Sequence, residues 1–305
     1  MIKVKGLSKR FRGHDVLANI DLDIARGERV AVLGLNGAGK TTLIRCLLGL
    51  TDCDGSIEVE GHDVLIDERA ARKHLGYVPQ KPPHFDGLTN EFIEMFSRLR
   101  GIDPRAVEQH LERLGLSPEE HGEKALKELS GGMMQKLLLA LALGSEVGVL
   151  LLDEPTANLD PRARKEFLRA LKEVDDNTTI IAATHRFTDV QALAERIIVL
   201  DRGKVAFDGT KSDLLGRVGA EAVLWISVPA NLRSDAAERL AKRFERDAVT
   251  MNGQAVGIRI DSAQRSDAIG ELRDAGIPIE NMWTDAPALH EILEPIIGHG
   301  ERREG

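Results

Sequence analysis

The sequence predicts an α/β protein with a larger α/β core and a small α+β domain at its C-terminal end. Three observations carry this. An apolar run, Val30-Ala31-Val32-Leu33, feeds a glycine loop with the spacing G-x-x-x-x-G-K-[ST], Gly34 to Thr41, and a helical segment, Leu43 to Leu48, follows. That strand, loop and helix order is the context in which such spacing cradles phosphate. A second apolar run, Val149-Leu150-Leu151-Leu152, ends in Asp153-Glu154-Pro155. Acids at the end of a buried strand are where a nucleotide-binding sheet places support for a metal ion. From about residue 220 the pattern becomes β-α-β-β-α-β, the order of a split βαβ sandwich.

Taken in order, residues 2–4 and 20–24 read as short strands, split by a loop that holds Phe11, Gly13 and His14. After the glycine loop and its helix, Ser56 to Gly61 alternates polar and apolar with period two, which reads as an exposed edge strand. Residues 66–74 look helical, and Leu75-Gly76-Tyr77-Val78 returns to strand. Helical periodicity runs over 88–145, with breaks near Gly101, Gly115 and Ser130-Gly131-Gly132. The run from Val147 to Leu152 is a strand, Pro161 to Lys172 a helix, Ile180 to Ala183 and 196–200 further strands, and Gly203 opens a hairpin into Val205-Ala206-Phe207. In the C-terminal part, strands are expected at 221–228 and 279–284, and helices at 234–246 and 264–275. Asn252-Gly253 marks a hairpin between Val249 and Val256. A final helix would carry Leu289, Ile292, Leu293 and Ile296, and the tail from Gly298 to Gly305 is expected to be disordered.

Composition narrows the function. The 305 residues leave room for a core of about 200 residues plus a second unit. Net charge is −8 and no run of Lys and Arg stands out, which argues against a nucleic-acid surface. The most apolar stretch, Leu137 to Leu143, is too short to span a bilayer, and Met1 to Lys5 lacks the apolar core of a signal peptide. Cys46 and Cys53 form no disulfide framework or metal-ligand pattern, and Cys46 reads as a buried apolar residue. A reducing, cytosolic location fits.

Chemistry sharpens the glycine loop. Its backbone N–H groups and the helix N-terminus attract anions. Lys40 would reach the β- and γ-phosphates, and the Thr41 hydroxyl would ligate Mg²⁺. Asp153 would hold the same ion through its water shell, and Glu154 would polarise the attacking water.

With Leu129-Ser130-Gly131-Gly132-Met133 the chain resembles the nucleotide-binding subunits of ATP-binding cassette (ABC) transporters. That resemblance implies a P-loop NTPase core over residues 1 to about 215, with an antiparallel β subdomain and a helical subdomain; residues 220–297 form the accessory α+β, ferredoxin-like domain. In that family Asn36, Gly37, Ala38, Gly39, Lys40, Thr41 and Thr42 hold ATP. Ser130, Gly131 and Gly132 form a second anion site, just ahead of a helix, that faces the glycine loop of another copy, so two ATP molecules are sandwiched in a dimer. Gln80, after Tyr77-Val78-Pro79, resembles the glutamine that contacts Mg²⁺ or the attacking water. Ala157-Asn158-Leu159-Asp160 resembles the loop that crosses the dimer interface, with Asp160 also placed to cap the next helix. His185 stands where the family has a histidine hydrogen-bonded to the γ-phosphate. Phe11 stands where an aromatic ring stacks on adenine.

The resemblance further implies a separate multispanning membrane subunit as partner, with this chain peripheral on the cytoplasmic face. Met133 stands where many members have Gln. That departure, Tyr-Val-Pro-Gln before Leu88-Thr89-Asn90-Glu91, and Leu99-Arg100-Gly101 look like the exporter branch, which often carries a C-terminal extension. An importer subunit, a soluble ABC ATPase acting on nucleic acid or ribosomes, and a non-hydrolysing scaffold are the competing readings. The acidic charge, the single cassette and the filled catalytic positions count against the last two.

Overall fold

The computed structural model describes residues 1–218, 222–244, 248–260, 264–285, 292–293 and 296. Two compact units are present, Met1–Leu214 and Leu215–Gly305.

In the first unit a six-stranded sheet runs in the order Lys204–Thr210, Arg196–Asp201, Arg29–Leu33, Thr179–Thr184, Val149–Asp153 and Leu75–Val78. Its first pair is antiparallel and every other pairing is parallel. The central strands are buried on both faces, as continuous Val, Ile and Leu runs require in a parallel sheet. Register aligns the ends of these strands. Leu33 lies opposite Thr184, Asp153 opposite Ala183 and Val78 opposite Leu152. The carboxyl ends therefore finish level, and the loops after them open on one edge.

One face of this sheet packs, with the helix Lys40–Leu47, against a second, four-stranded antiparallel sheet, around Ile2, Leu17, Ile44, Ile57 and Val149. The other face packs against helices Gly131–Leu143 and Pro161–Lys172, around Leu137, Leu150, Phe167 and Ile180. Helices Thr89–Arg100 and Pro104–Arg113 lie beside the first of these.

The antiparallel sheet departs from the sequence reading. Instead of short strands at 2–4 and 20–24, the chain forms strands Ile2–Phe11 and His14–Ile24, and Phe11 ends a strand rather than sitting in a loop. Lys5, Arg10, Asp15, Asp21 and Asp23 are exposed, Lys9 breaks the pattern by being buried, and the pairing shifts register at several points, so the period-two signal is blurred. The strand Asp54–Val59 is not an edge: it pairs with Ile2–Phe11 on one side and His62–Asp63 on the other. Its alternation records one buried and one solvated face. Helix Glu68–Lys73 and strand Leu75–Val78 lie where expected. The break expected near Ser130-Gly131-Gly132 falls at Leu129 and Ser130, and the helix after it starts at Gly131, two residues before Met133.

In the second unit four antiparallel strands are ordered Val249–Met251, Val256–Ile260, Ala222–Ser227 and Asn281–Asp285. Helices Arg233–Arg243 and Arg265–Asp274 connect them, which makes a ferredoxin-like split βαβ unit. Leu224, Ile226, Leu240, Ile258 and Leu272 form its core. Trp225 pairs across strands with Trp283, their rings stacked 6.2 Å apart. The turn at Asn252 is closed by its side chain, which accepts the N–H groups of Gln254 and Ala255. Of the expected final helix, Leu289 lies outside the described residues, as does the tail 298–305.

A helix at Lys211–Val218 was not expected, though Thr210 and Asp213 form a reciprocal cap at its start. The spacing [ST]-x-x-[DE] is a sequence mark of that cap.

Gly203 shows how the fold bears on the glycine loop. It turns the last hairpin at φ +76°, donates its N–H to the Ala38 carbonyl and accepts the Ala18 N–H. A Cβ there would stand 2.3 Å from the Val16 carbonyl oxygen. Gly203→Ala is expected to destabilise the first unit by about 1–3 kcal/mol, read by urea unfolding, because both the positive φ and the close approach exclude a side chain.

Candidate nucleotide site

The glycine loop leaves the strand Arg29–Leu33 with Leu35, Asn36 and Gly37 exposed and Ala38, Gly39 and Lys40 buried. Gly37 and Gly39 have φ of +83° and +105°, which turn the loop back over the helix start. Helix Lys40–Leu47 begins with no side-chain cap and no acidic residue in its first turn. Its leading N–H groups are left to an external acceptor, and the helix dipole favours an anion there. Thr42 is half-buried in the same turn.

Lys40 is 6% exposed. Its Nζ donates to the carbonyls of Gly34 at 2.9 Å and Leu35 at 3.1 Å and lies 3.6 Å from Glu154 Oε1. Burial pushes its ammonium below the usual lysine range, and Glu154 opposes that shift. The Thr41 hydroxyl donates to Asp153 Oδ1 at 3.0 Å. Burial pushes the Asp153 carboxyl above its ordinary value, against the pull of that hydrogen bond. Glu154 has a left-handed backbone, φ +48°, and donates its N–H to the Ala183 carbonyl. Its Oε2 meets His185 Nδ1 at 2.7 Å. Five of the expected residues, Lys40, Thr41, Asp153, Glu154 and His185, thus meet at the level edge of the sheet.

The others fall nearby or elsewhere. Gln80 is exposed, two residues past Leu75–Val78, the strand beside Val149–Asp153. Ser130 is exposed, and its Oγ accepts the Met133 N–H at 3.2 Å, which caps helix Gly131–Leu143. A Cβ on Gly131 would come 3.1 Å from the Asn158 carbonyl, and one on Gly132 2.9 Å from Ala163. Gly131 therefore packs closely on the loop Ala157 to Asp160, and Gly132 on Ala163 of the helix Pro161–Lys172. Asp160 accepts the N–H groups of Arg162 and Ala163 as the cap of Pro161–Lys172. Phe11 is 46% exposed, with Lys9 Nζ 4.8 Å from its ring centroid.

The sequence reading missed Gln135, which is buried and donates to the Pro79 carbonyl at 3.4 Å, so it links the helix after Ser130 to the Gln80 loop. An apolar groove of about 570 Å³ opens beside that loop, lined by Leu48, Tyr77, Pro79, Phe92, Phe96 and Leu138. Asp189, Thr156 and Arg164 were missed too. The mark for Asp189 is a lone acid among the apolar residues Phe187, Val190 and Leu193 of one short helix.

Asp153 and Thr41 suit a hard divalent cation: two oxygens of the right chemistry lie within 3.0 Å of each other, one a buried carboxylate. The Asp153 carboxyl holds its proton more tightly in the fold than in the unfolded chain. Stability is therefore lost as pH rises from the ordinary value of 3.8 through the raised one. Asp153→Asn removes that loss. In thermal melting without nucleotide, the variant is expected to be more stable than the wild type at neutral pH, and the gain should vanish as pH falls through the raised value toward 3.8.

Comparisons with known proteins point the same way. Residues 17–157 match the ABC transporter family. The daunorubicin resistance ATP-binding protein DrrA3 of Streptomyces coeruleorubidus is 33% identical, over 99% of this chain and 97% of that one. The glutamine transport ATP-binding protein GlnQ of Escherichia coli is 36% identical, over 70% and 93%. Among solved structures, one described as the ATP binding subunit of an ABC transporter aligns over 72% of this chain and 93% of its own, with a TM-score of 0.65 and 28% identity.

Proposed function

This chain belongs to the ABC transporter family of ATP-binding subunits, and we propose that residues 1–215 bind ATP between two copies of the chain and hydrolyse it to drive a separate membrane subunit. One observation carries the reading. Glu154, on a buried strand end, lies between Lys40 at 3.6 Å and His185 at 2.7 Å.

Each group then has a task that its position supports. The uncapped helix start, with Asn36 to Thr42, takes the phosphates, and Lys40 spans the β- and γ-phosphates. Thr41 and Asp153, with Gln80 from the neighbouring strand end, would hold Mg²⁺, which spreads the charge of the β- and γ-phosphates when bound. Glu154 accepts a proton from the water that attacks the γ-phosphorus. The bond to the bridging oxygen breaks, and ADP and inorganic phosphate leave. His185 holds Glu154 on one side and the γ-phosphate on the other. Phe11 stacks on adenine.

The Ser130-Gly131-Gly132 turn and the Asp160 loop complete the site of the second copy. Exposure of Ser130, and its seat on the Asp160 loop, support that role. Two half-sites closed by phosphate make a switch that opens when hydrolysis removes the bridging charge.

The apolar groove beside Gln80 is the docking place for the membrane partner, since a partner seated there would sense the loop that carries Gln80. Leu50, 59% exposed, stands at its rim. Residues 220–297 are an accessory domain of the same subunit, and the subunit works at the cytoplasmic face of the membrane. Export is favoured because the similarity to a drug-resistance protein runs through that domain as well. Import is the second reading, favoured by the identity to a glutamine transport protein, and reconstituted vesicles of either orientation would separate the two.

Glu154→Gln is expected to bind ATP, accumulate as a dimer on size exclusion and lose turnover by about 10²–10⁴-fold. Hydrolysis at the wild-type rate would remove Glu154 from the role of base. Leu50→Glu is expected to lose the membrane subunit in co-purification while ATP affinity stays unchanged; retention of the partner would move the docking place elsewhere.

A further inference from the structure

One buried carboxylate ties together the loops that carry Glu154 and His185. Asp189 is 2% exposed, on the helix Phe187–Leu193. Its Oδ2 accepts hydrogen bonds from the hydroxyls of Thr156, at 2.5 Å, and Thr184, at 3.4 Å. Its Oδ1 accepts from Arg164 Nε at 2.7 Å, and the same guanidinium donates to the Thr188 hydroxyl. The Thr184 hydroxyl in turn accepts the Arg186 N–H at 3.0 Å. Thr184 and Arg186 are the two neighbours of His185, and Thr156 lies two residues after Glu154.

A residue other than glycine at φ +48° persists only where its surroundings over-determine it. For Glu154 the surroundings are now explicit. The Ala183 carbonyl takes its N–H, Ala157 donates to its carbonyl, and Thr156 is anchored to Asp189. The loop therefore cannot relax without breaking a buried charge-assisted bond.

We propose that Asp189 is the positioning residue of the hydrolytic pair, resting on the reading of Glu154 as base. It sets the separation of Glu154 and His185 from both sides. Through Arg164 it also joins that pair to helix Pro161–Lys172, whose start Asp160 caps. A shift of the Asp160 loop against a second copy is in this way transmitted to the geometry of the base. No bond of this network involves Lys40, Thr41 or the glycine loop, which take most of the nucleotide, so its loss falls on turnover far more than on ATP affinity.

Asp189→Asn keeps the size of the side chain and weakens its hold on Arg164 and the two threonines. Its kcat is expected to fall about 100-fold, the cost of a small misplacement of a reacting group. KM and the affinity for a fluorescent ATP analogue should stay within about twofold of wild type, the split that marks an effect on the chemical step alone. In the Glu154→Gln background the same change should lower the residual rate no further, because residues that act as one unit are not additive. Asp189→Glu should recover part of the rate. Thr156→Val, which leaves the Arg164 pair intact, should lower kcat in the same selective way, and it carries the test if Asp189→Asn does not fold.

Wild-type turnover in Asp189→Asn or Thr156→Val, a parallel loss of ATP affinity, or a further loss in the Glu154→Gln background would each overturn the proposal. A wild-type chain that binds ATP without hydrolysing it would instead sink the functional reading, and this proposal with it.

Discussion

Buried charge without a full set of partners is the constraint on which the nucleotide site depends. Lys40, Asp153 and Glu154 are all nearly inaccessible, and between them they hold one cation and two acids at the end of an apolar sheet. Burying such groups is costly unless they are paired. Among the described residues the pairing is partial: Lys40 is satisfied by two carbonyls and one carboxylate at 3.6 Å, and Asp153 by one hydroxyl. The opposite shifts of Lys40 and Asp153 are both driven by burial, the state expected of charged groups that the fold itself pairs only in part. In the proposed function, a triphosphate with a divalent cation would supply the charges that are missing. The fold tolerates this because the surrounding strands are among its most buried, so local instability is absorbed by a large apolar core.

Strand register converts that chemistry into geometry. Three parallel pairings bring Leu33, Thr184, Asp153 and Val78 to one level, and the four loops beyond them carry Lys40, His185, Glu154 and Gln80. A one-residue slip in any pairing would turn the end residues to the opposite face of the sheet. The second layer of control is local: a left-handed Glu154, two glycines at positive φ and the Gly203 turn against the loop.

Much of this was legible in the residues. Gly34 to Thr41 has the spacing and the strand–loop–helix context of a phosphate loop, Asp153-Glu154 and Ser130-Gly131-Gly132 gain their meaning only beside it, and helix Pro161–Lys172 announced both ends, through Asp160 with Pro161 and through Lys172. The hairpin at Asn252-Gly253 and the β-α-β-β-α-β order were equally plain, since turn chemistry and periodicity are local. What escaped was non-local. Phe11 ends a ten-residue strand whose Lys and Arg residues, with Lys9 buried beside the apolar positions, hid its extent. Asp189 matters through Thr156 and Arg164, more than 20 residues away, and no short spacing encodes that contact. The helix Lys211–Val218 is the exception, because Thr210 and Asp213 carry a local and readable cap for it.

The paired indoles of the second unit have an experimental consequence. Trp225 and Trp283 are the only tryptophans in the chain, and its one tyrosine, Tyr77, belongs to the first unit. Indole emission is thus a private signal of the ferredoxin-like unit, while far-UV circular dichroism reports on both units together. An unlabelled chain therefore already reveals, by comparing the two melting curves, whether the halves melt together or one after the other.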